Sequence, residues 1–292
     1  MSTRTLSQPH ATTNQRAAAR LPSLGTLSIY TFLVLVLIVT LCPFAWVVLA
    51  SLNTTQGILS SQIVPTSFHW DNYPRAWLTG NLGSYVGNSV VAGLATVALT
   101  LSVCCPAGYA FGRLRFPGVR PLFYVYVFGL TIPFQALLIP IFYQLKNLDL
   151  LDSLLGIILT QVGIGVPFGT FLMRNFFRGL PGELADAARI DGCTELGVFW
   201  RVMLPLVRPA ALALLLFSFA NSWNDYALPL IALQTDAHRT LPVGLVHFSG
   251  QFATDYSLVF AATVISFIPL VLVYLLFQRQ FVEGINVGAL KG

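Results

Sequence analysis

Six stretches of this chain are too long and too apolar to be buried inside a soluble domain. They run over about 27–52, 85–112, 122–145, 154–173, 209–233 and 257–277. Each reaches or exceeds roughly 20 residues, the length an α-helix needs to cross about 30 Å of hydrocarbon at about 1.5 Å per residue. Composition agrees. Hydrophobic residues make up 55% of the 292, and only 9% are charged, where a soluble domain carries about 25%. A mean hydropathy of +0.74 leaves too little polar surface to cover a soluble fold. The expected fold class is therefore all-α integral membrane, with about six transmembrane helices. Residues 28–292 form one membrane domain, and residues 1–27 read as a disordered cytoplasmic leader rich in Pro, Ser, Thr, Gln and Ala. Val48-Leu49-Ala50 resembles a signal-cleavage site. The run before it is too long for a signal h-region of about 7–15 residues, so a membrane helix is the better reading.

Charge orients the spans. Thirteen of the sixteen Lys and Arg fall in the N-terminus, the second and fourth loops and the C-terminus, and only Arg75, Lys146 and Arg239 fall on the other face. The positive-inside rule places both termini in the cytoplasm. The net charge of +5 is mostly this topological signal. Because the basic residues are dispersed along short loops, the partner they imply is the lipid bilayer and not nucleic acid. Cys42, Cys104, Cys105 and Cys193 show neither metal spacing nor an external pair and read as small apolar fillers. No cofactor is implied.

Prolines 43, 106, 133, 140, 167, 229 and 269 fall within the spans. Each removes an intrahelical hydrogen bond and invites a kink, which in a bilayer persists only where neighbours or water satisfy the backbone. They are either hinges around a pathway or ordinary tolerated prolines. Gly108-x-x-x-Gly112 and Gly165-x-x-x-Gly169 permit close helix contact. The loop at 53–84 carries Phe68, Trp70, Tyr73 and Trp77 and is expected at the membrane interface.

The segment 174–208, between spans four and five, is the most informative. Pro181 suits a helix start, and Glu183 and Asp186 lie in the first turns, where acidic groups complement the helix dipole. Leu184, Ala187, Ala188 and Asp191 share one face, thin enough for another backbone to approach. Gly192 supplies a left-handed stop. Thr194 then caps a second helix over 195–204, which Pro205 ends. The spacing predicts a cytoplasmic helix–turn–helix, either lying on the lipid surface or meeting a partner.

This stretch resembles the EAA loop of binding-protein-dependent ABC importer permeases. That pattern is Glu-Ala-Ala, three residues, Gly, nine residues and Ile-x-Leu-Pro. Here it reads Asp186-Ala187-Ala188, Gly192 and Val202-Met203-Leu204-Pro205 at the same spacings. Asp at 186 and Val at 202 are conservative departures. Further likeness lies in Asn88-Ser89, Ala107-Gly108-Tyr109-Ala110-Phe111, Trp223-Asn224-Asp225-Tyr226-Ala227-Leu228-Pro229-Leu230, Thr240-Leu241-Pro242-Val243-Gly244-Leu245 and Gln278-Arg279-x-Phe281-Val282-x-Gly284, with Gly288-Ala289-Leu290-Lys291-Gly292 at the end. It covers about 25–292 and is most similar to the carbohydrate-uptake, maltose-permease type, in its six-span partner subunit.

The resemblance implies half of a sugar pathway in a bacterial or archaeal inner membrane. It also implies a second permease, two cytosolic ATP-binding subunits and an external solute-binding protein. Asp186, Ala187, Ala188, Asp191 and Gly192 would form the element that couples to the ATPase, flanked by Arg189 and Glu195 and closed by Leu204 and Pro205. The chain has only Lys146 and Lys291, neither in a Gly-x-x-x-x-Gly-Lys loop. It is therefore expected to be no enzyme, with ATP hydrolysis on another chain.

Asp225 falls inside the fifth span, where a carboxylate costs about 2.5–3.5 kcal/mol and marks a cavity or a structural pin. Trp223, Asn224 and Asp225, with Gln135, are candidates for the solute pathway, and Gln144 and Gln161 are weaker ones. An ion-gradient-driven secondary transporter would need midplane ionisable residues, and Asp225 alone qualifies. An intramembrane enzyme is disfavoured because His10, His69, His238 and His247 lie outside the spans.

Overall fold

A computed structural model describes residues 24–251 and 255–289. Most of the expected leader, the last residues of the tail motif and the side chains from Arg279 onward lie outside the described residues. The described residues are helical and contain no strand. The chain divides into two compact units, 1–46 and 47–292.

Helix α1 (Leu24–Ser51) supplies the described part of the first unit. Its apolar residues point in every direction. Ile29, Phe32, Leu35, Ile38 and Leu41 are each more than half exposed. A helix apolar all round belongs in a membrane or a large core.

The second unit takes in the end of α1 and then two short helices, α2 (Thr55–Leu59) and α3 (Asn72–Thr79), which precede α4 (Leu82–Arg113). Then follow α5 (Val119–Phe128), α6 (Phe134–Asn147) and α7 (Leu154–Gly179). Helix α8 (Glu183–Ile190) leads to a one-turn helix α9 (Glu195–Gly197), a π-helical turn at Val198–Met203 and another short helix α10 (Leu204–Leu206). Helices α11 (Arg208–Asn224), α12 (Ala227–Ala232), α13 (Leu241–Gln251) and α14 (Tyr256–Ala289) complete it. Four helices are long and apolar enough to cross a membrane, and the count rises to six if each of two bent pairs is one span.

The core pair is α4 and α7. A Cβ at Gly108 would stand 2.5 Å from Cβ of Met173 and 2.9 Å from the backbone nitrogen of Arg174. A Cβ at Gly112 would meet the Arg174 carbonyl at 3.1 Å. Both glycines of the first small-residue pair therefore sit where the helices touch. In the second pair Gly169 abuts Cys104, whereas Gly165 faces open space. In lipid such contacts, rather than the hydrophobic effect, hold helices together.

The third span is not one helix. It bends by 98° between α5 and α6, with a 3₁₀ turn at Gly129–Thr131 before Pro133. The fifth also breaks, at Asp225, whose ψ of 119° leaves the helix four residues before Pro229. A proline ring clashes with the carbonyl four residues back, here that of Asp225, and it disfavours the α region in the residue before it, here Ile132 with ψ 118°. Pro43, Pro106, Pro140, Pro167 and Pro269 sit inside helices that continue through them.

Candidate functional site

Two regions of the second unit hold the residues singled out in the sequence. The first is built on α8. Gly192 is left-handed, with φ +84°, and its N–H donates to the Arg189 carbonyl. The chain then turns back, and Thr194 caps α9 through the Gly197 N–H. Arg189 spans this turn. Its Nη1 donates to Asp186 at 2.7 Å and its Nε to Glu195 at 2.6 Å. The hydrogen bond from Arg189 lowers the Glu195 carboxyl and outweighs the effect of its partial burial. The guanidinium of Arg189 is correspondingly held more firmly protonated. On the other side of Glu195, Tyr109 of α4 donates its hydroxyl at 3.0 Å. Arg113, one turn further along α4, donates to the Leu180 carbonyl. The helix–turn–helix is thereby pinned to the end of α4.

Of the four residues expected on one open face, only Ala188 departs from it. Ala185 and Ala188 are buried, against the π turn and the cluster of Tyr109, Phe177 and Phe199. Leu184, Ala187 and Asp191 face outward, as does Ile190, which is 86% exposed. Asp186-Ala187-Ala188 thus divides, two residues outward and one inward. Ile190 is the residue that sequence reasoning missed. The run of exposed positions 183–184, 186–187 and 190–191 becomes legible only once Ala185 and Ala188 are known to face in.

The second helix of the motif also departs from expectation. It does not run as one α-helix over 195–204, nor does Pro205 end it. The Leu204 N–H bonds back five residues, to Phe199, through a π turn, and α10 carries the helix through Pro205 to Leu206. The wider turn carries Arg201, whose carbonyl the proline ring would otherwise strike. The chain then bends by 76° into α11.

The second region surrounds Asp225. Its Oδ2 accepts from Gln161 Nε2 at 2.9 Å, and its Oδ1 accepts the Leu228 N–H at 3.3 Å, capping α12. Gln161 Oε1 accepts from Thr96 at 3.0 Å and from Ser222 at 2.7 Å. One polar network therefore joins α4, α7 and α11. Above it lies a cavity of about 320 Å³. Of the four pathway candidates, only Asp225 lines that cavity. Trp223 is buried, its indole N–H donating to the Ser266 carbonyl and its ring stacked on Phe219 at 5.7 Å. Asn224 bonds back to the Ala220 carbonyl, and Gln135 is exposed.

Two further motifs prove to be each other's partners. Asn88 donates to the carbonyls of Ala237 and Arg239 at 2.8 and 2.9 Å, and Ser89 accepts the Leu241 N–H at 2.8 Å. Asn88-Ser89 and Thr240-Leu241 thus form one joint. No group of three or more potential metal ligands occurs among the described residues.

The fold is similar to that of a bacterial ABC transporter involved in the import of the acidic polysaccharide alginate, with a TM-score of 0.76 and 24% identity over 87% of this chain and 95% of that one. In sequence, the chain is 35% identical to the diacetylchitobiose uptake system permease protein NgcG of Streptomyces coelicolor, over 90% of this chain and 88% of the relative. It is 33% identical to the arabinooligosaccharides transport system permease protein AraQ of Bacillus subtilis, over 89% and 94%. It is 32% identical to the trehalose transport system permease protein SugB of Mycobacterium tuberculosis, over 86% and 93%. Residues 105–287, which include the α8 turn and Gln161, Ser222 and Asp225 of the network, match the family described as binding-protein-dependent transport system inner membrane component. The chain belongs to that family and is a membrane-embedded permease subunit.

Proposed function

We propose that this permease serves an ATP-driven importer of a sugar or sugar-like solute, with α8 and the turn after it as its point of attachment to a separate ATP-hydrolysing subunit. The three relatives carry the names of carbohydrate systems, which supports the solute class. An external binding protein delivers the solute, and a second permease completes the pathway. Two ATP-binding subunits work from the side where the basic residues lie, which is the side of both termini. The membrane is the inner membrane of a bacterium or archaeon.

One observation carries the coupling assignment. The turn is internally clamped by Arg189 between Asp186 and Glu195, yet it leaves Leu184 and Ile190 uncovered. A rigid helix transmits displacement, and exposed apolar side chains on a charged helix offer a contact. Asp186, Ala187, Asp191 and Gly192 frame that contact, while Ala188, Leu204 and Pro205 hold its base. Within the membrane, Asp225 stands on the pathway side, with Trp223 and Asn224 supporting the break at which it sits. An ion-gradient carrier fits less well, because Asp225 is already engaged by Gln161 and Leu228.

The test is Ile190→Asp in the complete assembly reconstituted into vesicles. Solute-stimulated ATP hydrolysis should fall at least tenfold while the permease remains folded and membrane-inserted. Hydrolysis stimulated to the normal extent would refute the docking assignment.

A further inference from the structure

The cavity over the Asp225 network has a feature that the network leaves unused. Thr100 lines it and is only 1% exposed, yet its hydroxyl has no hydrogen-bond partner. A threonine in a helix ordinarily satisfies itself on the carbonyl four residues back, as Thr160 does on Gly156 and Thr263 on Val259. Thr100 does not, although α4 continues on both sides of it. A buried hydroxyl without a partner costs free energy, and a structural role would have been filled more cheaply by valine.

Two more polar side chains around the cavity are uncommitted. Ser218 and Asn221 of α11 line it, and neither has a side-chain partner among the described residues. By contrast Thr96, Gln161 and Ser222 are consumed by the network beneath. Asp225 accepts one bond on each carboxylate oxygen from these neighbours, and each oxygen has a second lone pair. Phe134, Phe168 and Phe217 also line the cavity, the last two packed edge to face at 5.8 Å. Free donors and acceptors beside aromatic rings suit a flat polyhydroxylated ring, whose edges are hydroxyls and whose faces are C–H. The volume of about 320 Å³ lies at the small end of the roughly 300–1,000 Å³ seen for ligand pockets. That leaves room for a group the size of one sugar ring.

We infer that this subunit itself holds one sugar ring in transit, with Thr100 and Asn221 as hydrogen-bonding groups, Asp225 as an acceptor, and Phe168 and Phe217 as the stacking rings. The inference rests on the sugar-import reading. It shifts the contact from the Trp223–Asn224 pair to α4 and to the α11 turns before it.

The complete assembly in vesicles tests this with three probes: diacetylchitobiose, trehalose and an arabinotriose. With the binding protein saturated, only steps after delivery limit uptake. Thr100→Val and Asn221→Ala should each lower maximal uptake about three- to tenfold, the share of one hydrogen bond. The half-saturating concentration should stay unchanged, and the ranking of the three sugars should alter. Thr100→Ser, which keeps the hydroxyl, should restore uptake to within about twofold. Thr100→Val should unfold no earlier than the natural protein, because it removes an unmet polar group. Natural rates and ranking in Thr100→Val would overturn the subsite, as would equal losses in Thr100→Val and Thr100→Ser with a lowered unfolding midpoint. If the natural assembly imports none of the three sugars, the sugar reading fails, and the subsite falls with it.

Discussion

The two ends of α4 are built differently. At its N-terminal end, carboxylates are used as knots. Asp236 accepts from Tyr85 at 2.6 Å and from Asn81 at 3.2 Å, and it pairs with Arg239. Asp152, between α6 and α7, accepts from the backbone N–H groups of Gln234 and Thr235 and from the Thr235 hydroxyl at 2.7 Å. Asp255 gathers Thr55, Ser257 and Arg75. At its C-terminal end, Tyr109 and Arg113 reach only the edge of the α8 turn, and large apolar side chains stand uncovered: Leu184, Ile190, Leu196 and Trp200. The first end is tied by these carboxylates, although Trp70 and Leu78 also stand uncovered beside it. The second is rigid locally, but it keeps a surface for something else to cover. Since α4 spans 32 residues, close to 48 Å at about 1.5 Å per residue, one helix connects a carboxylate-tied end to an unfinished one.

The largest effect should come from the turn that makes the unfinished end rigid. Gly192 has φ +84° and donates its N–H. Proline is locked near −65° and has no N–H. Gly192→Pro should abolish solute-stimulated ATP hydrolysis while circular dichroism and membrane insertion remain those of the natural protein, because the turn lies outside the α4–α7 core. If the variant couples normally, the contrast between the ends loses its mechanical meaning.

How far these ends are legible in the sequence depends on the kind of interaction. The membrane class and the turn at Gly192 could be read directly, since hydropathy and left-handed glycine are local properties. A close helix contact at Gly108 could also be read, but not that α7 supplies it. The breaks could be anticipated only as possibilities. Seven prolines look alike in the sequence, and which ones disrupt a helix depends on whether another group takes over the freed backbone. At Asp225 the residue's own carboxylate does so, by capping α12. Period alone puts Ala188 on the open face of α8, but it is buried in the cluster with Tyr109 and Phe199, which arrive from distant positions. Gln161 was rated below Asp225, yet it is the hub of that network. No signal in one sequence ties positions 96, 161, 222 and 225 together.

A smaller effect is expected at the carboxylate-tied end. Partial burial would raise the Asp152 carboxyl, but the hydrogen bonds from Thr235 and Gln234 outweigh it and bring it down to about 2. Because its folded pKa lies below the unfolded value of about 3.9, its contribution is complete above about pH 4 and is lost as the pH falls toward 2. Asp152→Asn keeps one acceptor and turns a donor toward the Thr235 hydroxyl. It should cost about 1–3 kcal/mol of stability at pH 7, read as a lowered unfolding midpoint in detergent, with the deficit shrinking as the pH is lowered from 4 toward 2. A deficit independent of pH would mean that packing, and not the charge, ties this end.

The smallest effect separates stability from coupling at the other end. Tyr109→Phe removes only the hydroxyl that α4 lends to Glu195, and it keeps the ring packed on Phe177 at 5.5 Å and on Phe199 at 5.3 Å. The loss should be about 0.5–1.5 kcal/mol, near the limit of what an unfolding curve resolves. Glu195 would still be held by Arg189, so the α8 turn should keep its own shape. What changes is its attachment to α4. A turn that is intact but loosely tethered should move without moving the bundle, so ATP hydrolysis should persist while the solute imported per ATP falls severalfold. Glu195→Gln should leave that ratio nearer the natural one, because the amide keeps an acceptor for Tyr109 and loosens only the hold of Arg189 within the turn. An unchanged ratio in Tyr109→Phe as well would mean that force enters the bundle through the backbone continuing from α10 into α11, and the Tyr109 contact would then be a packing detail.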